Sequence, residues 1–266
     1  MTTSSATTGR IPGSRRMWLG TGSVVAVIAL WFILTSLSEV LSPIRFPSPD
    51  DVWSAGKQIA LNSYASGALL TQIWSSTKLV LLGFIVAAAI GVALGLLMGW
   101  NRRAESFLNP IVQIIRPIPP IAWIPLAILW FGLGNTAKIF VIFFAAFVPS
   151  LINTYTGVRN VDATLIAAAR VHGASTRRVL LDVVIPGSLP MVFTGLRLSL
   201  QASWTTLVAA ELVGAFTGLG HVLIVAARDI YPGMIVVAMG CIGALGALMT
   251  IALGAIERAV TPWRRA

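Results

Sequence analysis

The chain has 266 residues, of which 56% are hydrophobic and only 11% charged, with a formal net charge of +10. Soluble domains carry about a quarter charged residues, so this composition excludes an ordinary soluble domain and places the chain in a bilayer. The basic excess does not indicate nucleic acid, because no reading module accompanies it and its placement follows the membrane.

Residues 1–16, rich in Ser and Thr with Pro12 and Gly13, read as a disordered cytoplasmic tail ahead of one membrane domain over 17–266. Apolar runs of about 18 to 25 residues mark helices able to cross about 30 Å of hydrocarbon. Six are predicted, over 18–37, 74–100, 110–131, 137–155, 190–213 and 234–256, which makes the chain all-α and polytopic. With the N-terminus inside, Arg10, Arg15, Arg16, Arg102, Arg103, Arg159, Arg170, Arg177, Arg178, Arg258, Arg264 and Arg265 fall in cytoplasmic segments. Basic residues, an apolar run and Ser36-Leu37-Ser38 also fit a cleaved signal peptide, which would leave five spans; an uncleaved first helix puts both termini in the cytoplasm. The single cysteine, Cys241, lies in the last span, so no intrachain disulfide forms and cysteine usage does not report the redox compartment.

After the first span, Ser48 or Asp50 caps a short helix running toward Tyr64, with Trp53 and Tyr64 suited to headgroup depth. The second span opens from outside with Ser75, Ser76, Thr77 and Lys78, of which Lys78 reads as an interfacial anchor, and carries Gly91, Gly95 and Gly99 at i, i+4 spacing. Such a small-residue ridge lets another helix approach closely, either from the same chain or from a second subunit. Four prolines in 116–125 remove backbone donors and predict a broken third span, which is either a kink lining a path or a purely structural one.

Between the fourth and fifth spans, Asn160 or Asp162 caps a helix through Val171, Gly173 permits a left-handed turn, and Ser175 caps a second helix ending before Pro186. The resulting elbow, over about 160–186, exposes Arg170, Arg177 and Arg178, while Leu165, Val171, Val179 and Leu180 supply packing. His172 reads as a surface residue rather than a metal ligand, since His221 is predicted across the membrane.

Ala167-Ala168-Ala169 with Gly173 matches the E-A-A-x-x-x-G spacing, and Val183-x-Ile185-Pro186 matches the distal I-x-L-P element, of the cytoplasmic loop of ABC importer permeases. The motif's Glu is replaced by Ala167, which removes any salt bridge that Glu would make. Further strings, Arg116-Pro117-Ile118-Pro119-Pro120-Ile121-Ala122-Trp123, Trp130-Phe131-Gly132-Leu133-Gly134, Gly195-Leu196-Arg197 and Trp204-Thr205-Thr206-Leu207-Val208-Ala209-Ala210-Glu211, resemble the taurine, aliphatic-sulfonate and nitrate branch, taurine permeases above all. The resemblance implies a type I importer (MetI-like) fold in the bacterial cytoplasmic membrane, acting as a homodimer with two ATPase subunits and an extracytoplasmic binding protein. It also implies that Ala167, Ala168, Ala169, Arg170, Gly173, Ser175, Arg177 and Arg178 couple to the ATPase. ATP and magnesium are then used by the partner, and this chain binds no cofactor or metal. The cargo is taurine or an alkanesulfonate, with nitrate or a pyrimidine or other heterocyclic precursor as the alternative.

Polar and ionisable residues inside spans are functional candidates by default. Arg116, Trp123, Gln201, Trp204, Thr205 and Glu211 form the candidate translocation path. Arg116 and Arg197 stand where a long side chain either reaches headgroups or attracts an anion and closes an inner gate. Glu211 would repel a sulfonate, so a gate, a helix-pairing role or a passing contact with the taurine ammonium suits it better. Ser203 and Thr206 offer further neutral hydrogen-bonding groups.

No enzyme is legible. The three lysines occur as Gly56-Lys57-Gln58, Thr77-Lys78-Leu79 and Ala137-Lys138-Ile139, none of which supplies a P-loop ending. ATP hydrolysis therefore belongs to another polypeptide. A secondary transporter has no use for a docking elbow, and an intramembrane enzyme would need a base beside Ser203.

Overall fold

In hydrocarbon every backbone N–H and C=O must be satisfied within the protein, and unbroken apolar runs of about 20 residues meet this as helices. A computed structural model describes residues 13–37, 42 and 45–265, and the described residues form no strand. In chain order the helices are α1 (Gly13–Phe32), α2 (Pro49–Leu61), α3 (Leu69–Trp100), α4 (Arg102–Ile115), α5 (Ile124–Phe131), α6 (Asn135–Arg159), α7 (Ala163–Val171), α8 (Thr176–Arg178), α9 (Ile185–Gly214), α10 (Leu219–Arg228) and α11 (Pro232–Val260). Of the tail expected over 1–16, residues 1–12 lie outside the described part, and α1 begins at Gly13.

Among the described residues four stretches are long and apolar enough to cross a membrane: Leu69–Trp100, Asn135–Arg159, Thr176–Gly214 and Pro232–Val260. A fifth crossing exists only if the bent pair Arg102–Ile115 and Pro120–Phe131 is one span, and its halves meet at 82°. The first apolar helix is described over Gly20–Ser36, 17 residues, about 26 Å of helix against about 30 Å of hydrocarbon.

The core is the α3–α6–α9 layer, where the glycine ridge settles its partner. Gly91, Gly95 and Gly99 lie against Ser150, the Leu151 carbonyl, Thr154 and Val158 of α6, within the same chain. A methyl group at Gly95 would stand 2.6 Å from the Leu151 oxygen and 2.7 Å from the Thr154 Cβ. On the other side of α6, the Ser199 hydroxyl of α9 lies 2.7 Å from the Ser150 hydroxyl and donates to the Ala146 carbonyl at 2.6 Å. Small residues and paired hydroxyls are what hold helices together where the solvent is itself apolar.

The end of the bundle opposite 163–178 is closed by α2 and α10. Ser48 caps α2 in a capping box with Asp51, and Ala55 and Ile59 bury against Val222, Ala226, Met234 and Ala238 of α10 and α11. Tyr64 donates to Asp229 at 2.6 Å and Tyr231 to Gln58 at 3.0 Å. Burial and the Asp229 carboxylate push the Tyr64 phenol above its ordinary range, so it stays a donor. Trp53 is exposed.

Candidate functional site

The elbow is built from local chain chemistry. Asp162 caps α7, accepting from Thr164 N–H at 2.8 Å, and this bond holds its carboxyl below the usual range. At the other end, Gly173 N–H bonds the Arg170 carbonyl at 2.9 Å and Ala174 N–H bonds Ala169 at 3.0 Å, with Gly173 at φ +79°. This is a Schellman closure, which needs a left-handed residue where Gly173 stands. Ser175 then accepts from Arg178 N–H to start α8.

Two expectations about this segment are corrected. The helix after Ser175 does not end before Pro186: it widens into a π turn over Val179–Val184 and continues into α9 as one helix from Thr176 to Gly214. Pro186 lacks the N–H an α-helix would need there, and the wider turn passes the proline without stopping. Nor do Leu165 and Val171 pack; they are 56% and 85% exposed. Helical spacing turns Ile166 and Ala169 inward instead, against Val158, Val179 and Val184. The open face of the elbow therefore combines Leu165, Ala167, Ala168, Val171 and Leu181 with Arg170, Arg177 and Arg178, and Ser175 is exposed beside them. His172 is also exposed, its Nδ1 lying 2.9 Å from the Ala168 carbonyl.

Five of the six candidate path residues line hollows that share wall residues. Arg116 and Trp123 border a cavity of about 220 Å³ with Pro120 and Ala202. Pro120 and Ala202 also border a second, of about 340 Å³, which shares Gln201 and Thr205 with a third. That third cavity, between α9 and α11, measures about 940 Å³ and adds Arg197, Trp204 and Thr250. The proline cluster makes this possible: a 3₁₀ turn at Pro120–Trp123 and the 82° bend keep α4 and α5 from closing over α9. Trp123 is fixed by stacking on Phe144, ring centres 4.6 Å apart. Ser203 and Thr206 are buried, Ser203 bonding back to the Ser199 carbonyl.

Glu211 stands apart from these hollows. It is fully buried, and its carboxylate accepts from Ser76 Oγ at 2.9 Å and from Gly220 N–H at 2.8 Å. Ser76 in turn accepts from Leu219 N–H at 2.8 Å, and Gln72 accepts from Gly218 N–H at 2.6 Å. Three successive N–H groups at the start of α10 are thus held by side chains of α3 and α9, a role for Glu211 in joining helices. α3 begins at Leu69, about two turns ahead of Ser76, and Ser76 is buried inside the bundle. Sequence reasoning missed Gln72, which precedes the span predicted over 74–100, and also Glu257, which pairs with Arg197. Among the described residues no group of His, Cys, Asp and Glu could hold a metal ion.

A family model described as "Binding-protein-dependent transport system inner membrane component" matches residues 91–265. The taurine transport system permease protein TauC of Escherichia coli is 34% identical over 255 residues, covering 96% of this chain and 92% of its own. The putative aliphatic sulfonates transport permease protein SsuC of Bacillus subtilis is 34% identical over 260 residues, covering 95% and 91%. A chain of the inward-facing MetNI methionine ABC transporter superposes with a TM-score of 0.64 at 22% identity, covering 73% of this chain and 96% of that one.

Proposed function

Because the chain belongs to the family of inner membrane components of binding-protein-dependent transport systems, we propose that it carries taurine or an alkanesulfonate into the cytoplasm as the six-span permease of an ABC importer. The sulfonate cargo is favoured by the two relatives named for taurine and aliphatic sulfonates. Both termini lie in the cytoplasm, two copies of the chain form the membrane channel, and two ATPase subunits dock on the elbows. A binding protein delivers cargo at the end closed by α2 and α10.

The observation that carries the coupling mechanism is the unbroken helix from Thr176 to Gly214. It has Arg177 and Arg178 at its exposed start and Arg197, Gln201, Trp204 and Thr205 on the cavity wall further along. Closure of the ATPase dimer on ATP therefore moves the path residues along with the elbow. Opening of the path alternates between the two sides, and the permease needs little affinity of its own.

Gly173→Val tests the elbow. No neighbour lies within 4 Å of the added Cβ, so the cost is conformational, about 1–2 kcal/mol for a left-handed β-branched residue. The expected result is normal membrane insertion with at least a several-fold loss of binding-protein-stimulated ATP hydrolysis in proteoliposomes. Wild-type stimulation would remove the elbow from the mechanism.

The substrate is tested by uptake of labelled taurine in cells lacking this gene and then regaining it, with alkanesulfonates and nitrate as competitors. Loss and rescue of uptake, blocked by alkanesulfonates, is the expected result. Unchanged taurine uptake in cells without another taurine system would move the cargo to nitrate or a heterocyclic precursor.

A further inference from the structure

The cavity between α9 and α11 is lined mainly by apolar side chains, and Arg197 is the ionisable residue on its wall among the described residues. Its guanidinium is half exposed and forms an ion pair with Glu257 of α11, a carboxylate that is itself buried. Arg197, Gln201 and Thr205 follow one another at i, i+4 and i+8 on α9, so they stand as a single stripe facing the cavity. The Gln201 amide makes no side-chain hydrogen bond among the described residues, and the Thr205 hydroxyl donates to the Gln201 carbonyl, leaving its oxygen able to accept. Because α9 and α11 run in opposite directions, the pair closes the elbow end of the cavity, with Glu257 one turn from the end of α11. Towards the other end the same two helices are joined, among the described residues, by softer contacts such as Trp204 Nε1 with Met249 Sδ at 3.3 Å.

We propose that Arg197 exchanges partners during transport: the anionic group of the cargo replaces the Glu257 carboxylate on the guanidinium, with the Gln201 amide as second donor, and the exchange frees the elbow end of α11 for cargo release. The inference rests on the reading of the chain as a permease for small anions. A planar guanidinium binds a sulfonate through two parallel N–H···O bonds as it binds a carboxylate, so its charge stays compensated throughout. The displaced Glu257, so near the helix end, is re-solvated at the membrane surface rather than left bare in hydrocarbon. Cargo without a negative group leaves the pair closed, which makes the pair a selectivity element as well as a latch.

Competition of this kind has a sign that a merely structural ion pair lacks. In nanodiscs holding the permease with its ATPase, removal of the competing carboxylate in Glu257→Gln is expected to tighten ethanesulfonate binding about tenfold, measured by calorimetry, and Arg197→Gln to abolish it. The exchanged pair Arg197→Glu with Glu257→Arg keeps the link between α9 and α11 and is expected to assemble and melt like the parent. Its taurine uptake in proteoliposomes should still fall about tenfold or more, because a carboxylate now faces the cargo. Parental uptake by the exchanged pair, or unchanged or weaker ethanesulfonate binding by Glu257→Gln, overturns the proposal and leaves the importer reading intact. Should the parent take up nitrate and not taurine, the same variants tested with nitrate decide the exchange, while the sulfonate reading falls separately. A parent that takes up neither anion overturns both.

Discussion

Gly95→Leu is expected to abolish accumulation of folded protein. The ridge of α3 sits so close to α6 that even a methyl at Gly95 would stand 2.6 Å from the Leu151 carbonyl oxygen, and that oxygen belongs to the backbone and cannot rotate away. The two helices would have to separate along the whole α3–α6 seam, with an expected cost above about 3 kcal/mol, beyond the usual penalty for overpacking. Gly240→Leu is the matched control, because no atom lies within 4 Å of a Cβ there and the same bulk in another apolar helix should be tolerated. Size-exclusion profiles of fluorescent fusions in detergent separate the two; a monodisperse Gly95→Leu peak at parental yield would refute the close seam.

Glu211→Leu carries the second large effect. The substitution removes the acceptor for both the Ser76 hydroxyl and the Gly220 N–H in a fully buried site, at a cost of about 3–5 kcal/mol. Loss of the cap should free the start of α10, so that limited proteolysis cuts within 214–220 while the α3–α6–α9 core survives. Glu211→Gln keeps one carbonyl oxygen and should show a milder form of the same defect. Protease resistance equal to the parent in Glu211→Leu would mean that Gln72 and Ser76 alone secure the segment.

The long apolar runs, the proline break and the glycine ridge were all legible, because each depends on residue type and local spacing. So was the elbow's turn, since a cap at Asp162, a glycine at 173 and a cap at Ser175 can be read along one segment. Its packing face was not, because nine residues of α7 hold Leu165, Ile166, Ala169 and Val171 on all sides and only the neighbouring Val158, Val179 and Val184 select among them. Pro186 misled for a related reason: a proline ends a helix unless a wider turn absorbs it, and local sequence does not disclose that turn. Of the candidate path, the residues on α9 and in the proline segment border hollows that share wall residues. Glu211 did not, since its partners Ser76 and Gly220 come from α3 and the start of α10, and 135 positions separate it from Ser76. Arg197 and Glu257, 60 positions apart, were likewise invisible as a pair.

The helix that passes Pro186 without stopping has a mechanical meaning. Its 39 residues make a rod about 58 Å long, nearly twice the hydrocarbon thickness. Tipping such a rod by about 10° around its midpoint carries each end through about 5 Å, close to one helical turn. On the proposed coupling mechanism the long π-turned helix acts as a lever, and a modest stroke at Arg177 and Arg178 returns as an opposite stroke of equal size at Gly214, beside the loop that leads into α10.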